Sequence, residues 1–217
     1  MTRPRVKICC IGSIEEAKTA IDAGASALGL VGQMPSGPGV ISDELIHRIA
    51  GAVPPPVSTF LLTSETRATD IIRHYKKVYT SVIQLVDKPE AGAYEALRRE
   101  LPYVKLVQVI HVSDRNSVRE AMEAAAYVDA LLLDSGNPGL PVKVLGGTGR
   151  THNWEISREI TRSVTVPVFL AGGLHSGNVK QAIEAVQPYG LDLCNGVRTN
   201  GKLDAVKLKA FFKAIDM

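Results

Sequence analysis

The sequence predicts an α/β protein, a single (β/α)8 TIM barrel running over residues 1–217. Three observations predict it. Short apolar, β-branched runs alternate with longer amphipathic stretches along the whole chain. The 217 residues divide among eight such pairs at roughly 27 residues each. No composition shift or long linker marks a second domain. Alternating β and α segments joined by right-handed crossovers fold as an open doubly wound sheet or as a closed barrel, and eight units favour the barrel.

The expected strands are residues 6–9, 27–31, 57–62, 81–86, 105–112, 130–134, 168–171 and 191–194. They are short and nearly all apolar, as parallel strands buried on both faces are. After the first strand, Ser13 followed three residues later by Glu16 predicts a capping box, each side chain satisfying the other residue's free amide. Ser42 with Asp43 and Glu44 is expected to open the second helix, and Ser64 with Glu65 the third. The triple proline at 54–56 stops the second helix, because proline disfavours helical geometry in the residue before it. Residues 136–150 hold two prolines, many glycines and no helix pattern, which predicts one long loop after strand six. In a barrel that loop lies on the face where strands end and chemistry occurs.

Composition narrows the function classes. With 45% apolar and 22% charged residues and a net charge of +3, the chain buries a sizeable core and is not disordered. No window approaches the unbroken apolar run of a membrane span, and residues 1–7 are basic without the apolar region of a secretory signal. The expected location is therefore cytoplasmic. The 25 basic and 22 acidic side chains are scattered, so neither nucleic acid nor membrane is an expected partner, while an anionic small molecule is tolerated. The 3 cysteines lack CxxC spacing and read as reduced thiols. The 5 histidines form no HExxH pair, so no metal site is expected. His47 and His74 read as solvated on helix faces, His152 and His175 as loop residues on the active face, and Trp154 as packing.

Polar residues stand at strand ends where an apolar run would otherwise continue: Lys7 and Cys9, Gln84 and Asp87, Asp134 and Ser135, Asp192 and Cys194. Period-two geometry points Lys7 and Cys9 to one side, and likewise Asp192 and Cys194. Strand eight lies beside strand one in a closed barrel, so Lys7 and Asp192 are expected to pair inside as a buried structural ion pair. The ammonium then favours the thiolate of Cys9. Gly146 with Gly147, Gly172 with Gly173, and Asn195 with Gly196 follow strands six, seven and eight, where backbone amides approach an anion or simply make turns. The segment from Gly147 to His152 lacks the third glycine of a dinucleotide fingerprint, and a Rossmann reading fails. Cys194 is expected near Cys9 and Cys10 as a three-thiol cluster, either inert filling or a redox site in which Cys9 is oxidised and Cys194 resolves it.

Lys7-Ile8-Cys9, Glu15-Glu16-Ala17, Ala23-Gly24-Ala25 and Ala27-Leu28-Gly29 resemble the opening of the phosphoribosylanthranilate isomerase family of tryptophan biosynthesis. Leu132-Leu133-Asp134-Ser135, Gly146-Gly147-Thr148-Gly149 with Trp154, Leu170-Ala171-Gly172-Gly173-Leu174 and Gly196-Val197 continue the likeness across the chain. The resemblance implies an Amadori rearrangement without a cofactor, with Asp134 as the acid and Cys9 as the base. It implies a substrate- and phosphate-binding set of Lys7, Gln84, Gly147, Thr148, Gly149, Gly172, Gly173, Asp192, Asn195 and Gly196. The expected partner is a small phosphorylated sugar-amine, and a homodimer is one expected assembly. The chain departs from the family pattern where Ser-Pro-Arg reads Gly37-Pro38-Gly39, Gln-Leu-His-Gly reads Gln84-Leu85-Val86-Asp87, and the glycine after the cysteine is Cys10. The Asp before the tryptophan is Asn153, and Ser-Ser-Gly-Val-Glu reads Cys194-Asn195-Gly196-Val197-Arg198. Two alternatives stand beside the leading reading: a phosphosugar isomerase or lyase with a non-anthranilate substrate, and a non-catalytic phosphate-ligand binding barrel.

Overall fold

In the computed structural model, which describes residues 3–136 and 151–216, eight parallel strands close in chain order. They are β1 (Arg5–Ile8), β2 (Ala27–Val31), β3 (Ser58–Thr63), β4 (Val82–Leu85), β5 (Lys105–His111), β6 (Ala130–Asp134), β7 (Val168–Leu170) and β8 (Gly190–Leu193). Each boundary lies within one residue of expectation. The helices α1 (Ile14–Asp22), α2 (Asp43–Ala52), α3 (Ala68–Val78), α4 (Ala93–Glu100), α5 (Asn116–Ala125), α6 (Trp154–Ser163), α7 (Val179–Val186) and α8 (Ala205–Ile215) follow the strands one by one. Closure is made where β1 meets β8, with Lys7 opposite Asp192 and Ile8 opposite Leu193.

Period two sorts the strand residues into two concentric apolar cores. Ile8, Leu28, Leu61, Ile83, Leu131 and Leu191 face outward and pack with the helices. Ala27, Phe60, Val82, Val107, Leu132 and Phe169 fill the barrel, where Phe60 and Phe169 meet edge to face at 6.2 Å. The site residues belong to this inner set, in the layers nearest the strand C-termini. Among the described residues, no helix is long and apolar enough to cross a membrane.

The helix starts follow the expected chemistry with corrections. Ser13 Oγ accepts the Glu16 amide at 3.1 Å, but the reciprocal half of the capping box is absent. Glu16 accepts instead from the amides of Gly12 and Leu203 at 2.9 and 2.8 Å and faces Arg198, a stronger, charge-assisted partner. Ser42 Oγ caps α2 by accepting the Leu45 amide, and α2 ends ahead of the prolines. Ser64 caps nothing: β3 runs on to Thr63, α3 opens at Ala68 without a side-chain cap, and Ser64 Oγ donates to the Gln33 carbonyl. His74 is not solvated either. Packing of α2 beside α3 sets it 3.0 Å from Thr63 Oγ1 and 3.2 Å from the Asp43 carboxylate. His47 is exposed, and Trp154 packs against the outer core. Beyond Gly136, the expected long loop falls outside the described residues.

Candidate active site

A cavity of about 270 Å³ occupies the C-terminal end of the barrel. Its lining combines Cys9 and Cys10 after β1, Gln84 of β4, Asp134 at the end of β6, Gly172 and Gly173 after β7, and Asp192 with Cys194, Asn195 and Gly196 from β8 onward. Apolar side chains of Val31, Leu62, Val109 and Ala171 complete the walls. Residues from strands one, four, six, seven and eight thus converge at one mouth.

Below it, Lys7 is fully buried and its Nζ lies 2.8 Å from Asp192 Oδ1, itself 8% exposed. The ammonium also stands 5.3 Å from the centre of the Phe60 ring. Lys7 is therefore the buried partner of Asp192 rather than part of the cavity wall, which corrects its expected place among substrate contacts. Burial alone would pull its pKa down, but Asp192 and the neighbouring thiols outweigh burial and hold the ammonium above its ordinary range. Gly29 makes room for this arrangement, since a Cβ there would stand 2.7 Å from Cys9 Sγ and 3.1 Å from Lys7 Nζ.

Cys9 and Asp134 are driven in opposite directions. Hydrogen bonding to the Cys10 side chain and the charge of Lys7 lower the Cys9 thiol against the opposing effects of burial and Asp192. Burial, reinforced by the charge of Asp192, raises the Asp134 carboxyl although it accepts the Ser135 amide at 2.7 Å. Gln84 is 3% exposed, and its Oε1 has no hydrogen-bond partner among the described residues. A buried acceptor of this kind on a cavity wall is open to a donor from water or from a ligand.

A family model described as N-(5'phosphoribosyl)anthranilate (PRA) isomerase matches residues 6–214. The chain belongs to this PRA isomerase family. The N-(5'-phosphoribosyl)anthranilate isomerase of Methanocella arvoryzae is 31% identical over 204 residues, covering 94% of this chain and 93% of the relative. The crystal structure of phosphoribosyl anthranilate isomerase from Thermotoga maritima superposes with a TM-score of 0.82 at 28% identity, covering 98% of each chain. A further solved isomerase, in complex with reduced 1-(o-carboxyphenylamino)-1-deoxyribulose 5-phosphate, gives 0.79 at 26% identity and 98% coverage of each chain.

Against the PRA isomerase pattern, the departures now have positions. Gly39, at the family's arginine position, has φ of 81°, and a Cβ there would stand 2.5 Å from Cys10 Cβ. A side chain at 39 is excluded by this backbone. Arg198, which sequence reading noted only as a departure, donates to the carbonyls of Cys9 and Cys10 and pairs with Glu16. It fixes the turn that carries the thiols. The signal in the sequence is the reversed charge at 198, but the local pattern assigns its partner Glu16 to a cap. Pro38 of the Gly37-Pro38-Gly39 departure lines the cavity, as do Met34 and Ser36, which no motif of the sequence marks. His175 lines the rim, as a residue of the active face. His152 does not line the cavity: it hydrogen-bonds Ser157 at 2.7 Å. Gly147, Thr148 and Gly149 lie outside the described residues.

Proposed function

We propose that this chain isomerises N-(5'-phosphoribosyl)anthranilate to the corresponding 1-amino-1-deoxyribulose 5-phosphate, with Asp134 as acid and Cys9 as base. The observation that carries the reading is one cavity lined by a carboxyl pushed toward its protonated form and a thiol pushed toward its thiolate. Protonated Asp134 gives its proton to the furanose ring oxygen, the C1–O bond breaks, and the ring opens to a Schiff base. The Cys9 thiolate takes the proton from C2, which gives an enolamine, and tautomerisation completes the aminoketose. Backbone amides at Gly172, Gly173, Asn195 and Gly196 hold the phosphate, and Gln84 Oε1 accepts from a substrate hydroxyl or amine.

Gly39 favours a second reading. No lysine or arginine is among the described residues lining the cavity, which suits a phosphoribosylated amine whose aglycone carries no carboxylate. Growth of a tryptophan auxotroph lacking the isomerase tests the first reading, and turnover of a panel of phosphoribosylated amines by the purified protein tests the second. Restored growth supports anthranilate; failure to grow with turnover of another amine supports the second reading. Binding without turnover of any of them would make the protein a binding barrel and overturn both. The reading places the protein in the cytosol, with a small phosphorylated substrate and with neither nucleic acid nor membrane as partner. A relative from Thermotoga maritima is described as dimeric, and a homodimer of the 23.3 kDa chain is the assembly proposed, to be checked by sedimentation.

A further inference from the structure

Two of the three thiols take no part in the proton transfers above, yet their sulfurs are in direct contact at the mouth. Cys194 Sγ lies 2.8 Å from Cys10 Sγ, about 0.8 Å beyond the length of an S–S bond. Both are free thiols. The contact comes from the closing seam: Ile8 stands opposite Leu193, and both cysteines follow within two residues of those strand ends. Within the expected three-thiol cluster, the contact the structure gives Cys194 is with Cys10.

Cys10 is held in place from several sides. Its φ of 63° is left-handed, a backbone that L residues other than glycine rarely adopt. Its Sγ donates to the Pro38 carbonyl at 3.6 Å, Gly39 packs on its Cβ, and Arg198 binds its carbonyl. A residue strained and clamped with its sulfur against a second thiol is more than filling. Cys194 is partly exposed, and both sulfurs line the cavity, so a small oxidant has a path to them.

We propose that Cys10 and Cys194 form a reversible disulfide across the β1–β8 seam when the protein meets a peroxide, and that the cross-linked mouth turns over slowly. The Cys194 sulfur attacks a peroxide oxygen and the O–O bond breaks; the thiol proton passes to the departing hydroxide, which leaves as water, and a sulfenic acid remains. The Cys10 sulfur then attacks the sulfenic sulfur as the S–O bond breaks, and its proton passes to the departing hydroxide, which leaves as a second water. Two thiol protons and two electrons reduce one hydrogen peroxide to two waters, and a dithiol reductant reverses the bond by exchange. The order follows access, since Cys194 is the more exposed thiol. The hydrogen bond from Cys194 and burial push the Cys10 thiol far up, so Cys10 is not the sulfur that meets the peroxide first. Cys9 and Cys10, adjacent in sequence, join only through a strained ring.

Closing the pair moves residues directly bonded to Cys9 and to Asn195. A misplacement approaching 1 Å near reacting groups costs up to about a hundredfold in rate, so a loss of about tenfold is expected. This kinetic clause rests on the function proposed above; the bond itself does not. Reduced full-length protein is treated with a small excess of hydrogen peroxide and read by intact mass, non-reducing peptide mapping and turnover. Expected are the loss of two hydrogens per chain, a Cys10–Cys194 cross-linked peptide, Cys9 still alkylated after denaturation, and turnover lowered about tenfold and restored by dithiothreitol. Cys194→Ser and Cys10→Gly, the latter relieving the left-handed strain, should each abolish the cross-link while melting cooperatively. Three free thiols after peroxide, or a cross-link through Cys9, overturns the proposal. An unslowed cross-linked protein overturns its kinetic clause. A reduced protein inert toward every phosphoribosylated amine overturns the function instead, while the mass readout still decides the disulfide.

Discussion

Asp192 opposes Lys7 at 2.8 Å while its charge reaches both Cys9 and Asp134, so one carboxylate adjusts both ends of the proposed proton path. With ordinary values of about 3.9 and about 8.5, nearly all enzyme carrying one proton would hold it on sulfur, the wrong site for reaction. Raising Asp134 and lowering Cys9 brings the two together and enlarges the fraction with a protonated acid and a thiolate. We therefore expect a bell-shaped profile of kcat/KM against pH. Its acid limb lies above the ordinary carboxyl value and its basic limb below the ordinary thiol value; limbs at the ordinary values would remove the tuning argument. Cys9→Ser and Asp134→Asn should each lower kcat by about two or more powers of ten, while affinity for a product analogue changes far less. Near wild-type turnover in either variant would show that the protons travel elsewhere.

Glu16 and Arg198 show how elements far apart in the chain fix the site. The two residues are 182 positions apart, and together they tie α1, the turn after β1 and the strand pair β9 (Arg198–Thr199) and β10 (Lys202–Leu203) into one unit. Arg198→Met leaves a partly buried carboxylate without its cation and should cost about 3 kcal/mol in urea unfolding. Glu16→Gln in the same chain should restore part of the loss, and additive losses would deny the coupling. The start of α6 supplies a pH test. Burial lowers His152 to about 4, and its Nδ1 has no partner among the described residues. The folded value lies below the ordinary value of about 6.5, so the unfolded chain takes up the proton first. This contribution to stability is complete above pH about 6.5 and is lost as pH falls toward about 4. His152→Phe should flatten the wild-type decline within that window, as read by urea midpoints. Local pattern made β1 to β8 and the Ser13 and Ser42 caps legible, since each depends on residues a few positions apart. Glu16, Ser64 and His74 misled because Arg198, the extension of β3 and the packing of α2 on α3 decide them, and none of these is visible in a short window.

The molecule as a whole separates stability from chemistry by shell. Outer-core residues such as Leu61 and Ile83 seat the helices, and the inner layers hold the ion pair and present the acid and base. The alternation of Lys7 with Cys9 and Asp192 with Cys194 made it legible that each pair shares one side, and barrel closure that the two strands are neighbours. The contact of Cys194 with Cys10 was not legible, since it depends on a left-handed turn. Lys7→Met or Asp192→Asn alone strands a charge or an unpaired polar group in the interior and should cost about 3–5 kcal/mol, whereas Lys7→Met combined with Asp192→Leu should recover most of it. No recovery in the double variant would mean the pair is needed for more than its own neutralisation. The two partners are also separated by 185 positions, with a consequence for how the chain is made. During synthesis Lys7 is made well before its counter-charge, so a nascent chain that closed a barrel without β8 would bury an ammonium with no carboxylate opposite it. The unpaired charge penalises closure before β8, which favours completing the ring and the mouth together once that strand is made.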